Sequence, residues 1–334
     1  MEGLRSYEKM RRGPGASVLA GSMLLVIALA VTTSGCSVKK FAVNKLGDAL
    51  ANGSATTYAS DDDPELIRSA VPFSLKLIEG LLAESPKHRG LLLAAGSGFT
   101  QYAYAFVQQD AEEMEEKDLA TAMEMRARTR KLYLRARDYA LRGLEVRHAG
   151  FTKALREDPQ AAVRSATKKD VPMLYWAAVS WGAAISLSKD NPEMVADKPI
   201  VEALADRALE LDEQFSDGAI HGFLIAYEGA RQGAKGDPDE RARRHYERAV
   251  ELTGGQMAGP YVSLAENVCI GKQNRGEFER VLKRALEIDV DAKPEWRLAN
   301  LVMQRRARWL LGRADQLFAE EKASAEGGKK EQRK

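Results

Sequence analysis

Three short stretches decide the fold: Arg207-Ala208-Leu209-Glu210-Leu211-Asp212, Arg248-Ala249-Val250-Glu251-Leu252-Thr253 and Arg284-Ala285-Leu286-Glu287-Ile288-Asp289. They begin 41 and 36 residues apart. A pattern returning at such intervals marks an architecture built from repeated units. Ahead of the second copy stand Ala242, Tyr246 and Ala249: a small residue, an aromatic four on, and a small residue three further. Phe278, Leu282 and Ala285 occupy the same frame in the next unit. Tyr261, Leu264, Ala265 and Val268 supply the matching helix before it. Alanine at a crossing lets two antiparallel helices approach closely while a bulkier neighbour fills the groove. One such hairpin cannot bury its apolar face alone, so units stack.

The spacing is close to the 34 residues of a tetratricopeptide repeat, with loop insertions. Fainter echoes stand at Gly143-Leu144-Glu145-Val146 and Gly80-Leu81-Leu82-Ala83. Asp61-Asp62-Asp63-Pro64-Glu65 reads as a helix start, because acidic residues suit the N-terminal dipole and proline suits the first turn. Pro72 is expected to kink or restart that helix, and Ser85-Pro86 to end it. No run of alternating β-branched residues supports a strand. The expected fold is all-α, a tetratricopeptide-like helical-hairpin solenoid over residues 61–319, with Arg297 to Phe318 as its closing helix. Residues 320–334, lacking core residues, are expected to be a disordered charged tail.

The first 36 residues carry Arg5, Lys9, Arg11 and Arg12, an apolar run from Ala16 to Val31, and then Thr33-Ser34-Gly35-Cys36. This is the order of a secretory signal, and its apolar run is shorter than the roughly 20 residues that span a bilayer. The cysteine directly after the cut resembles the lipobox of bacterial lipoproteins, although Thr33 stands where leucine is usual. The resemblance implies a cleaved signal at 1–35, a lipidated Cys36, and a tether over 36–60 that lies on a membrane rather than across it. Ser37 after the cysteine points to the outer membrane rather than the inner.

The 334 residues carry 50 Lys and Arg against 48 Asp and Glu. Loss of residues 1–35 removes four basic and two acidic residues and leaves 46 of each. That neutrality argues against nucleic acid as a partner. Two cysteines exclude a disulfide framework, and Cys269, in an apolar stretch, is expected to be a buried inert thiol.

Enzymatic chemistry finds no motif. There is no H-E-x-x-H, Walker A, G-x-G-x-x-G or G-x-S-x-G. The histidines at 88, 148, 221 and 245 never share one helical turn at ligand spacing. No catalytic residue, metal ligand or cofactor is expected. Glu112-Glu113 and Glu115-Glu116 read as a solvated helix end. Phe99, Tyr102 and Phe106 share one helical stripe and, with Tyr175, Trp176 and Trp181, are read either as core or as a pocket for an amphipathic solute. Gly96 and Gly98 among them imply a close helix crossing or a close ligand. The basic helix holding Arg130 and Arg137 is read either as a solvated face with i,i+4 pairs or as a patch steering an acidic partner.

Five motifs carry a resemblance: Tyr58 to Leu66, Val71 to Leu77, Gly90 to Phe106, Tyr175-Trp176 with Trp181 to Ile185, and Gln304 to Arg308. Over about residues 36–318 the chain resembles the T component of the tetratricopeptide-associated TRAP transporters, a bacterial lipoprotein. The resemblance implies a periplasmic, membrane-tethered helical protein that is not an enzyme. It further implies a homotrimer partnered by the solute-binding P component, whose permease moves an organic solute, often a carboxylate. The T component would scaffold the P component, and hold or relay a ligand. A general scaffold lipoprotein of envelope or outer-membrane assembly is the alternative.

Overall fold

The computed structural model describes residues 44–47, 57–231 and 233–319. The expected signal segment, Cys36, most of the expected tether and the expected charged tail lie outside them. The described residues are 79% helical without strands, and the all-α expectation holds. Fifteen α-helices run in order among the described residues: α1 Pro64–Glu84, α2 Arg89–Tyr102, α3 Gln109–Met114, α4 Leu119–Glu145, α5 Phe151–Glu157, α6 Pro159–Val163, α7 Val171–Ser186, α8 Pro192–Ala196, α9 Lys198–Leu211, α10 Ala219–Tyr227, α11 Pro238–Leu252, α12 Ala258–Leu264, α13 Arg275–Leu286, α14 Arg297–Gly312 and α15 Ala314–Leu317. Single π-helical turns, Ala103–Gln108 and Ala265–Cys269, extend α2 and α12.

Helix α1 begins as its sequence dictates. The Asp63 carboxylate caps the backbone N–H groups of Glu65 and Leu66, with Pro64 in the first turn and Ser85 closing the helix. Pro72 neither restarts nor ends it: α1 runs from Pro64 to Glu84. A proline lacks one donor, and tertiary packing through Ile67, Leu75, Ile78 and Leu82 holds the helix across the gap.

The principal pairings are α4 with α7, followed by α2 with α4, α7 with α9, α10 with α11, and α12 with α13. The glycines of α2 mark crossings. A Cβ on Gly96 would lie 3.4 Å from the Ala136 carbonyl of α4, and one on Gly98 2.8 Å from Leu75 Cδ2 of α1. Of the two expectations for these glycines, the close helix crossing is what the structure shows.

The three repeated stretches end α9, α11 and α13. Ala208, Ala249 and Ala285 are fully buried in all three. Their neighbours repeat too: Arg207 pairs with Glu210, Arg248 with Glu251 and Arg284 with Glu287, each three residues on. Each arginine also reaches backwards, Arg207 to the Ala166 carbonyl at 2.9 Å, Arg248 to Glu213, and Arg284 over the Tyr261 ring. The repeated signature thus encodes a buried small residue and a cation bridging to an earlier element.

The side chains form two main cores. One runs from Ile67 to Tyr227 and the other from Ala242 to Phe318. The closing helix α14 packs the second core through Ala307 and Leu310. It does more than cap the array, as the next section shows.

Candidate functional site

Cationic side chains over aromatic rings organise the first core. Trp181 is 1% exposed; Arg137 stacks on it at 4.8 Å and Arg156 at 5.4 Å, while its indole N–H donates to Asp197 at 3.2 Å. Phe99 stacks on Tyr139 at 6.0 Å and lies under Arg135. Phe106 lies under Arg68 and beside Tyr102. Such contacts strengthen as they lose water. The basic helix α4 therefore differs from a solvated face laced with i,i+4 pairs. Its long arms lie along apolar rings, and its ion pairs reach Glu115 from Arg126 and Glu79 from Arg135. Arg137 also pairs with its neighbour Asp138, whereas Arg130 is half-buried with no ion pair among the described residues.

The six aromatic candidates separate into two kinds. Phe99, Tyr102, Phe106 and Trp181 are buried in the core. Tyr175 and Trp176 are half-buried and pack edge to face at 4.8 Å, with Phe215 against Tyr175 at 5.4 Å. Neither the Tyr175 hydroxyl nor the Trp176 indole N–H finds a hydrogen-bond partner among the described residues. Desolvation alone pushes the Tyr175 hydroxyl well above its ordinary pKa.

A second arrangement was hidden in the sequence. Glu112 and Glu113 are half-buried and paired. Arg306 of α14 pairs with both Glu112 and Glu266 at 2.5 Å, and Arg305 with Asp110 at 2.7 Å and Glu113 at 2.9 Å. Arg68 of α1 completes the link to Asp110, and Arg313 reaches Glu116. Tyr104 and Glu266 stand on the two π-helical turns, which are frequent at functional sites; the Tyr104 hydroxyl lies 3.7 Å from Met303 Sδ. Burial pushes the Glu266 carboxyl up against the pull of Arg306. Burial would also raise Asp110, but hydrogen bonds from Arg68 and Arg305 bring it below the ordinary range. This polar seam joins residues nearly 200 positions apart, beyond any local periodicity.

Two histidines from different helices also meet. His221 Nδ1 lies 2.8 Å from His245 Nδ1, and Glu213 and Glu228 face their outer nitrogens. One proton fits between two nitrogens at that distance. Burial, then the neighbouring His221, lowers His245 to about 4. No group of three metal-ligating side chains occurs among the described residues. Cys269 is buried, and burial raises its thiol to about 12, as expected of an inert thiol.

An open groove of about 600 Å³ lies along α13, lined by Tyr246, Tyr261, Arg280, Lys283 and Arg284 among others. In the sequence Tyr246 and Tyr261 stand out only as repeat-frame residues. Their position at the groove wall follows from the stacking of two hairpins.

Residues 60–318 match the model of the TRAP transporter T-component family. The chain therefore belongs to that family. It is similar to a protein of Treponema pallidum (strain Nichols), an uncharacterized protein, at 30% identity over 302 aligned residues, covering 85% of this chain and 94% of that one. Family membership makes it a TRAP-associated subunit of a cell-envelope transport system, from a family of transporter accessory subunits rather than enzymes. No helix among the described residues is long and apolar enough to cross a membrane.

Proposed function

We propose that the chain is a lipid-tethered, periplasm-facing subunit that scaffolds the solute-binding P component of a TRAP-type transporter. The observation carrying this reading is the family match across the whole helical array. Lipidation at Cys36 replaces a spanning helix as the means of membrane attachment, with Ser37 directing the protein to the outer membrane. Affinity capture from a periplasmic extract on the chain from Ser37 onward tests it. Recovery of a solute-binding protein is expected; recovery of assembly factors alone overturns it in favour of a general scaffold.

The same subunit holds or relays an organic solute. Tyr175 and Trp176 support this, since half-buried rings whose polar tips have no protein partner among the described residues suit an amphipathic ligand. Tyr175→Phe and Trp176→Phe keep the rings and remove the polar atoms. Loss of a thermal shift given by organic acids would match the reading, whereas no shift in the unaltered protein would end it.

Self-association as a homotrimer completes the proposal. Leu66, Ala70, Phe73, Leu77 and Gly80 follow heptad spacing on α1, and Phe73 is 74% exposed. A heptad stripe on one long helix suits the same helix of a second copy. Sedimentation should give three times the protomer mass, and Phe73→Glu should return the protomer; a monomeric parent protein would refute it.

A further inference from the structure

The tether fragment touches one defined edge of the molecule. Residues 44–47 are helical and lie at the turn between α1 and α2, where Ser85 Oγ donates to Asn44 Oδ1 at 2.7 Å and His88 Nε2 lies 3.2 Å from the Asn44 carbonyl. A Cβ on Gly47 would meet Leu91 at 3.0 Å, so the fragment sits closely. Cys36 stands eight residues earlier. Eight residues reach at most about 29 Å, at no more than ~3.6 Å each.

Hydrogen bonds continue this edge across three further segments. Arg142 donates to the Pro86 carbonyl, and Arg89 reaches the Lys169 carbonyl and the buried Asp170, where Arg147 and His148 also converge. Segments 44–47, 84–89, 142–150 and 164–170 hold eight Lys and Arg against three Asp and Glu. The cleaved chain as a whole is neutral, so this excess is local. Asp170 is fully buried and Glu145 is engaged by the backbone of Gly150 and Thr152. Lys87, Arg142, Arg164 and Lys169 are exposed and make no ion pair among the described residues. Two apolar side chains protrude beside them, Leu46 at 49% and Val146 at 37% exposure. Exposed cations around protruding apolar side chains, next to a short acylated tether, are the chemistry of an anionic lipid surface.

We propose that this edge, formed by the α1–α2 turn, the end of α4 and the loop before α7, lies against an anionic bilayer and fixes the orientation of the subunit. The inference rests on the lipoprotein reading for the tether alone. Acyl chains supply attachment; the basic edge chooses which face meets the headgroups. The groove along α13 takes none of its lining from this edge.

The test uses the lipidated full chain in phosphatidylglycerol–phosphatidylethanolamine vesicles. Single fluorophores at Lys87→Cys, Val146→Cys or Lys283→Cys are quenched by a headgroup nitroxide; Cys269, being buried, stays silent. Quenching at 87 and 146 should exceed that at 283 several-fold, and 1 M salt or, for the probe at 146, the triple change K87E/R164E/K169E should remove the difference. Equal quenching at all three sites overturns the proposal while leaving the anchor intact, because palmitate labelling of Cys36 is scored separately. Should Cys36 carry no acyl chain, co-sedimentation of the chain from Ser37 onward with phosphatidylglycerol vesicles decides the matter. Salt-sensitive binding, at least about tenfold weaker in the triple variant, sustains the basic edge, and no binding rejects it.

Discussion

The two cores are built by different means. The first, from α1 to α10, relies on large side chains: α7 alone buries Met173, Leu174, Trp181 and Ile185, and arginines close over its rings. The second holds smaller hairpins. Helix α11 buries only Ala242 and Ala249, and its stability comes from pairs such as Arg243 with Glu277 and from stacking on its neighbours. Aromatic bulk can hold a helix pair together locally. An alanine-rich hairpin needs the next unit, and here the next unit ends in α14, stapled by ions to the first core.

The sharpest break of that contrast is Trp181→Ala. It empties a large buried volume and should cost about 3–5 kcal/mol, read in urea as an early loss of the first core. Arg306→Met removes the cation between Glu112 and Glu266. Leaving two carboxylates without their buried partner should cost about 3–5 kcal/mol, and here the two cores should separate into two unfolding transitions. A single unshifted transition would show that the seam does not couple them.

Acid should weaken the second core through the histidine pair. Between pH 6.5 and the folded value near 4, an unfolded chain binds a proton that His245 refuses. Stability therefore falls as pH falls through that window, by about 3 kcal/mol. His245→Phe should flatten this part of the pH profile, and an unchanged slope would refute the assignment. Gly98→Ala presses a methyl toward Leu75 in the first core. Overpacking is partly offset by the better helix former, for a net loss of about 1 kcal/mol, seen as a small fall in Tm. Smallest of all, Arg248→Ala breaks exposed pairs with Glu213 and Glu251 and should leave Tm within error.

Much of the fold was legible because its signals are local. The Asp63 cap, the buried alanines of α9, α11 and α13, and the arginine–glutamate pairs beside them all sit within one or two helical turns. Pro72 does not break α1, because a missing donor costs less than the packing of α1 returns. The candidate site was legible in part. Tyr175 and Trp176 could be nominated as amphipathic residues, but the burial of Trp181 beneath Arg137 and Arg156 depends on three different helices. Glu112 and Glu113 were misread for the same reason: in sequence they are an acidic run, and their cations lie on α14.

The sequence by itself determined that this chain folds as stacked helical hairpins. Helix periodicity and capping act over a few residues, so they are written in consecutive positions. Only the tertiary structure decided which charges are buried, that α14 joins the two cores, and that His221 meets His245. It also decided that residues 44–47 meet the turn between α1 and α2. Those facts depend on desolvation and on contacts between distant segments, and no local pattern carries either.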